Sequence, residues 1–401
     1  MGDNEGDNMK VLIFLTQFYQ LGGAERLAVE LAEELNKRGI HTDILSMYAE
    51  TLPGVADAKQ ALLHKGIPAV HFLGMHIHTP IASMVPAILK LRRLIRENEY
   101  DIVETSMVSP TVLAAWATMG MRVRHVAGLH DVFMRERHNG RKYLFWRCSI
   151  RMNRCTRFYA ISDFAKRHWI EFSNTLPEHT RTIYNGIPHD CFNAIPERER
   201  LHEELSVPPE SNVALFVGRM LKRKGIDTIL DALGPILHAE NLYLLYVGGW
   251  DQPPEGFFPE EVGLLERMKT QMISEGWTDR VRLLGRRNDV PSLMATSDLL
   301  VHPARIEGFG LVLAEALATG LPVVASNVEG IPEVLAGTDS LMVPPNDPKA
   351  LREAVLKTLN RTSEEMARAV EKGRKRAEAF RIEKRTDAMI GLFEDVLAGR
   401  F

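Results

Sequence analysis

The feature that most restricts the fold is a repeated alternation of short apolar runs, glycine turns and helical stretches with one apolar stripe. Residues 10–16, Lys-Val-Leu-Ile-Phe-Leu-Thr, form a run fit for a buried strand. Gly22 and Gly23 interrupt it. Leu27, Ala28, Leu31 and Leu35 then recur at three- and four-residue spacing, which gives a helix one apolar face. Gly39 stops that helix, and 42–47 supply a second strand. Strand, turn, helix and strand make a βαβ unit of a parallel sheet. Further strands are expected at 100–104, 125–129 and 157–161. The rhythm changes near 185–190. Residues 191–211 are polar and carry Pro196, Pro208 and Pro209, which reads as a linker. A second series follows, with strands at 213–217, 242–248, 281–284, 299–303, 322–326 and 341–343, and helices at 225–237, 260–275 and 349–359. Two α/β domains are therefore expected, each doubly wound, at 1–190 and 191–380.

Composition narrows the function classes. With 401 residues and 45% apolar content, a large core is expected. A net charge of −3 provides no global field for nucleic acid, so no nucleic-acid partner is expected. Cys148, Cys155 and Cys191 are odd in number and lack zinc spacing. A reducing, cytoplasmic setting is the expectation. The acidic, polar residues 1–8 do not read as a signal peptide. Two runs without Asp, Glu, Lys or Arg, 66–89 and 105–121, are broken by Pro68, Pro80, Pro86 and Pro110. They read as soluble elements rather than membrane spans.

Doubly wound sheets bind ligands at the carboxyl ends of their strands, so the strand-to-helix turns carry the functional information. The first turn, Gly22-Gly23-Ala24-Glu25, lets backbone approach a ligand at a helix start, and it is equally an ordinary tight turn. It lacks the Gly-x-Gly-x-x-Gly dinucleotide fingerprint. The second runs from Gly218 to Gly225 and holds Arg219, Lys222, Arg223 and Lys224. Forked guanidinium donors and compact ammonium charges at a helix N-terminus suit a diphosphate better than they suit a merely solvated loop. The sequence is not a Walker motif. The third turn, Glu307-Gly-Phe-Gly310, places backbone N–H groups of Gly308, Phe309 and Gly310 at another helix start, with Glu307 ready to accept from sugar hydroxyls. Glu315 follows among Leu311, Val312, Leu313, Ala314, Ala316 and Leu317. A carboxylate there needs a polar partner, either ribose hydroxyls or an internal Arg or Lys.

Glu307 and Glu315, with seven residues between them, resemble the Glu-x7-Glu motif of retaining glycosyltransferases of family 4. Gly22-Gly23-Ala24-Glu25 is similar to that family's first-loop motif. Gly218-Arg219 with Lys224-Gly225 is similar to its diphosphate pair, Asn185-Gly-Ile-Pro188 to its entry into the second domain, and His130 to its active-site histidine. The resemblance spans about 10–345. It implies the GT-B fold: two Rossmann-like doubly wound domains facing across a cleft. The N-terminal one would bind acceptor and be joined by a C-terminal helix within 381–401. The C-terminal one would bind the nucleotide sugar. On this resemblance Arg219 and Lys224 neutralise the diphosphate. Glu315 holds ribose, and Glu307 holds the transferring sugar, with Gly308, Phe309, Gly310 and Leu311 at the helix start. Arg286 and Val290, beside Gly285, lie near the base. Gly22 and Gly23 complete the donor set, and His130 joins Glu307 as catalytic. The implied reaction retains anomeric configuration, with the leaving diphosphate taking the acceptor proton. No Asp-x-Asp occurs, so neither a metal nor any other cofactor is expected.

The acceptor side offers two features. A helix at 83–97 would align Met84, Ile88, Leu91 and Ile95 on one face, with Lys90, Arg92, Arg93 and Arg96 elsewhere. Arg135, Arg137, Arg141, Lys142, Arg147, Arg151, Arg154 and Arg157 are interleaved with Phe133, Tyr143, Phe145 and Trp146. Such mixtures suit an anionic membrane surface or a pyrophosphate-linked acceptor, and equally a solvated helix face. The expected activity is therefore hexosyl transfer to a glycan, lipid-linked or small-molecule acceptor, in cell-surface polysaccharide or glycolipid synthesis, at the inner face of the membrane if the acceptor is lipid-borne. Alternatives are a nucleotide-sugar epimerase or a glycoside phosphorylase on the same fold, or a non-catalytic nucleotide-sugar sensor.

Overall fold

The computed structural model describes residues 9–18, 22–75, 84–134, 137–138, 140–153, 155–249 and 263–401, without the side chains of 141, 142, 151, 200 and 201. The chain divides into two compact units, 1–186 with 382–401, and 187–381.

The first unit holds β1 (Lys10–Leu15), β2 (His41–Tyr48), β3 (Val70–Met75), β4 (Ile102–Thr105), β5 (Arg124–Leu129), β6 (Thr156–Ala160) and β7 (Thr180–Thr182) in the order β3-β2-β1-β4-β5-β6-β7. Every pairing is parallel. The apolar run of β1 is explained by burial on both faces. Val11, Ile13 and Leu15 pack under the helices Gly23–Lys37 and Ile382–Leu397, and Leu12 and Phe14 under Met84–Asn98 and Val108–Ala117. Strand order reverses between β1 and β4, the position where open α/β sheets form a ligand crevice.

The second unit holds β8 (Asn212–Val217), β9 (Leu242–Val247), β10 (Val281–Gly285), β11 (Leu299–His302), β12 (Val323–Ser326) and β13 (Leu341–Val343), in the order β10-β9-β8-β11-β12-β13, again all parallel. Its reversal lies between β8 and β11.

Several elements depart from the periodicity reading. β3 is not marked by periodicity, because its sequence, Val-His-Phe-Leu-Gly-Met, does not alternate. The expected linker at 191–211 instead contains the helix Arg198–Leu205, whose polar residues form its exposed side while His202 and Leu205 are buried. Its prolines flank the helix rather than break it. The helix Ser363–Ala377, closed by a Thr362–Glu365 capping box, packs Ala369, Gly373 and Ala377 inward. A stripe of such small residues gives little hydrophobic signal. Among the described residues no helix is long and apolar enough to cross a membrane.

Candidate active site

In the second unit the chain leaves β8 through Gly218 and Arg219, makes a short 3-10 turn at Lys222–Lys224, and enters the helix Ile226–Leu233 through Gly225. Gly225 has φ +73°, and a Cβ there would lie 2.0 Å from the Pro303 carbonyl oxygen. Only glycine lets this turn close onto the end of β11. From β11 the chain passes through Glu307, Gly308, Phe309 and Gly310 into the helix Leu311–Thr319, with Gly310 as N-cap at φ +85°. Arg305 ties the two turns together. Its guanidinium donates to both carboxylate oxygens of Asp227, at 2.7 and 2.9 Å, and its backbone N–H donates to the Arg223 carbonyl at 2.8 Å.

The consequence is a direct contact between the basic turn and the acidic one. Lys224 Nζ lies 2.5 Å from Glu307 Oε2, and His302 Nε2 lies 3.1 Å from the same oxygen. Burial alone would push the Glu307 carboxyl up. The Lys224 charge and the His302 hydrogen bond outweigh it and hold the group well below the usual carboxylate range. Burial drives the His302 imidazole down, so it is neutral and donates from Nε2. Its Nδ1 is buried without a hydrogen-bond partner. The Glu307 N–H donates to Glu329 at 3.0 Å, and Glu329 itself sits at φ +46°. Glu307 is thus fixed from three sides with its charge retained, and Lys224, with three donors, has capacity for a second anion.

The remaining second-unit residues fall into place around this pair. Phe309 buries its ring edge-on against Phe380 at 5.3 Å, so its contribution to a ligand is backbone rather than side chain. Gly308 and Leu311 flank it at the helix start. Glu315 is buried on that helix. Arg219 is exposed in the turn after β8. Arg286 is exposed after β10, two strands from β8, and Val290 opens the helix Val290–Thr296.

In the first unit, Gly22 caps the helix Gly23–Lys37 from an extended conformation, and a Cβ there would meet the Glu25 carboxylate at 2.6 Å. Leu21 lies outside the described residues. His130 directly follows β5. Its Nε2 is 3.4 Å from the Tyr159 hydroxyl, which donates to Glu104 Oε1 at 2.7 Å; Ser106 Oγ donates to the same oxygen at 2.8 Å. Burial, with the Arg385 charge adding, pushes the His130 imidazole down to about 3. Burial raises the Glu104 carboxyl despite its hydroxyl partners and Arg385.

Sequence reasoning passed over His302, Arg305, Glu329, Glu104 and Tyr159. His302 was findable as a histidine ending an apolar strand just before the Glu307 turn. Glu104 and Tyr159 become related only through strand pairing.

The basic and aromatic run needs correction. Phe133 and Trp146 are buried in an aromatic cluster with Trp169 and Phe172, so they are core and not a surface for headgroups. Arg92 donates to the Ala117 and Met119 carbonyls, a structural role at the end of the helix Val108–Ala117. Arg135 and Arg154, and the side chains of Arg141, Lys142 and Arg151, lie outside the described residues. Val85, Leu89, Leu144, Phe145 and Met152 are exposed. Among the described residues no group of three or more His, Cys, Asp or Glu side chains is placed to hold a metal ion.

Comparison with known proteins gives a consistent picture. Residues 21–190 match the family profile described as Glycosyltransferase Family 4, and 197–376 match Glycosyl transferases group 1. Lipopolysaccharide glucosyltransferase WaaG of Escherichia coli K12 is 26% identical over 371 residues, covering 90% of this chain and 92% of the relative. N-acetyl-alpha-D-glucosaminyl L-malate synthase of Bacillus anthracis is 25% identical over 402 residues, covering 97% and 98%. Among solved structures, HepE of Anabaena, in complex with UDP, superposes with a TM-score of 0.80 at 22% identity, covering 96% of this chain and 100% of that one. The fold is the two-domain α/β arrangement called GT-B.

Proposed function

Because this chain belongs to the glycosyltransferases of family 4 and group 1, we propose that it moves a hexosyl unit from a uridine or guanosine diphosphate sugar, with retention, to a glycan or lipid-linked acceptor. The observation that carries the reading is the Lys224–Glu307 contact at the ends of β8 and β11, where the strand order reverses. Ligands of open α/β sheets sit at such reversals, and here the position holds a cation and a carboxylate kept ionised.

Each residue then has a role. Lys224 and Arg219 take the diphosphate charge, with the Phe309 and Gly310 amides at the helix start beside them. Glu307 accepts from hydroxyls of the transferring sugar, and Glu315 from ribose. Arg286 and Val290 adjoin the base, and His130 and the Gly22–Gly23 turn keep the catalytic and donor-binding roles that the family resemblance implies. In the reaction the bond from the anomeric carbon to the diphosphate oxygen breaks, and the acceptor oxygen bonds to that carbon on the same face. The acceptor proton passes to the departing diphosphate. Fixed charges stabilise the leaving group, so no metal ion is required.

A panel of nucleotide sugars tests the reading. One uridine or guanosine diphosphate sugar should raise the melting temperature and be slowly hydrolysed, and Glu307→Gln should abolish hydrolysis while remaining folded. No stabilisation by any member would refute it; phosphate-dependent cleavage of a glycoside would favour the phosphorylase alternative. For a lipid-linked acceptor, exposed Val85 and Leu89, with Arg93 and Arg96 exposed on the same helix, supply an apolar and basic surface for an anionic membrane. Flotation with anionic liposomes at low salt should carry the protein upward; failure to float removes the membrane from the account.

A further inference from the structure

The polar group beneath His130 has a geometry that the proposed reaction does not by itself explain. In the sheet register Glu104 pairs with Val126 and Gly128 with Tyr159. Side chains alternate faces along a strand, so Glu104, Tyr159, Gly128 and His130 share one face of β4, β5 and β6. Tyr159 is fully buried, yet its hydroxyl reaches across β5 to both neighbours. The crossing depends on Gly128. A Cβ there would lie 2.5 Å from the Tyr159 hydroxyl oxygen and 3.0 Å from His130 Nε2.

The proton count along this chain is informative. Tyr159 has one hydroxyl proton, and its 2.7 Å bond to Glu104 is shorter than its 3.4 Å contact with His130. Glu104 Oε1 accepts from Ser106 Oγ at 2.8 Å and is placed as the acceptor towards Tyr159 as well. The phenol proton therefore points at Glu104. Towards His130 the phenol oxygen offers only a lone pair, so the ring nitrogen facing it must carry the hydrogen.

We infer that Tyr159 and Glu104 are positioning residues that hold His130 as the tautomer protonated on Nε2, leaving Nδ1 as the hydrogen-bond acceptor for a sugar hydroxyl of the substrate. The last clause rests on the proposed function; the tautomer does not. A histidine that rotated or changed tautomer would present a donor in place of the Nδ1 acceptor. The buried tyrosine removes that freedom before substrate arrives.

Two measurements test this on the full chain. Nitrogen-15 spectra of histidine-labelled resting protein, with His130 assigned from its loss in His130→Ala, read the tautomer without any substrate. Wild type should show hydrogen on Nε2. Tyr159→Phe keeps the ring and removes only the hydroxyl, and should give a mixture of tautomers. Gly128→Ala, which pushes the hydroxyl away, should do the same should Tyr159→Phe fold poorly. Hydrogen on Nδ1 in wild type, or identical spectra in the variants, overturns the inference. In turnover, Tyr159→Phe should lower kcat by about tenfold to a hundredfold with donor affinity unchanged, and add nothing further in a His130→Ala background. A full additional loss in that background would show that Tyr159 does not act through His130. Absence of any nucleotide-sugar turnover in wild type would defeat the proposed function alone, since the spectra still decide the tautomer.

Discussion

Glu307 and Glu104 occupy comparable places in the two units, and they are compensated in opposite ways. Glu104 is a fully buried carboxylate within β4, next to β1, and Glu307 a mostly buried one in the turn after β11, next to β8, so each lies beside an order reversal. For both, burial is the largest influence and raises the pKa. Glu307 meets an ammonium at 2.5 Å and a histidine N–H, which reverse the sign. Glu104 meets two hydroxyls, which do not. A cation in contact keeps a buried carboxylate ionised, whereas hydroxyl donors mainly orient it. One cluster is built to keep a charge, the other to fix the direction of a hydrogen bond.

The sharpest way to break this contrast is at Lys224. Lys224→Ala strands the Glu307 charge and should cost about 3–5 kcal/mol in chemical denaturation. Pairing Lys224→Met with Glu307→Gln should recover most of that stability but not turnover. Glu307→Ala alone should lower kcat/KM by about a thousandfold. A double variant as unstable as Lys224→Ala would show that packing, not stranded charge, is what Lys224 provides.

Acid titration separates the two carboxylates by sign. Glu307 has a depressed folded pKa, so its contribution is present above the unfolded value of about 4.3 and is lost as pH falls below it. Glu104 has a raised folded pKa. Its ionisation penalty is therefore full above that pKa and fades as pH falls to about 4.3. In urea denaturation across pH, Glu307→Gln should flatten the acid limb below about pH 4, and Glu104→Gln should flatten the slope above about 4.3. Equal effects in the same window would abolish the distinction.

How much of this was legible in the sequence differs between the two sites. The alternating strands and helices were readable because β1, β8 and β11 are buried on both faces and so are apolar except at one end. Glu307 and Lys224 were readable because each sits in a glycine-marked turn. Their contact was not, because it depends on β8 lying beside β11, a pairing of strands far apart in sequence. Glu104 and Tyr159 were invisible for the same reason: they lie on different strands, and only β5 between them makes them partners. The helix Arg198–Leu205 was obscured by charge, because its buried side is narrow.

Smaller effects sharpen the picture of what holds the turns. Arg305→Ala removes the clamp on half-buried Asp227 and should cost about 1–3 kcal/mol, with a looser donor site seen as weaker nucleotide binding. Arg93→Ala removes an exposed pair with Glu97 and should leave stability essentially unchanged. If the two variants were equally mild in thermal melts, Arg305 would be an ordinary surface arginine.

The most direct test of the central claim compares nucleotide diphosphate with nucleotide sugar by titration calorimetry on wild type and Glu307→Gln. If Lys224 holds the diphosphate and Glu307 the sugar, both proteins should bind the bare diphosphate alike. Only wild type should gain affinity and turnover from the attached sugar. Equal binding and turnover of the nucleotide sugar by both proteins would contradict the account.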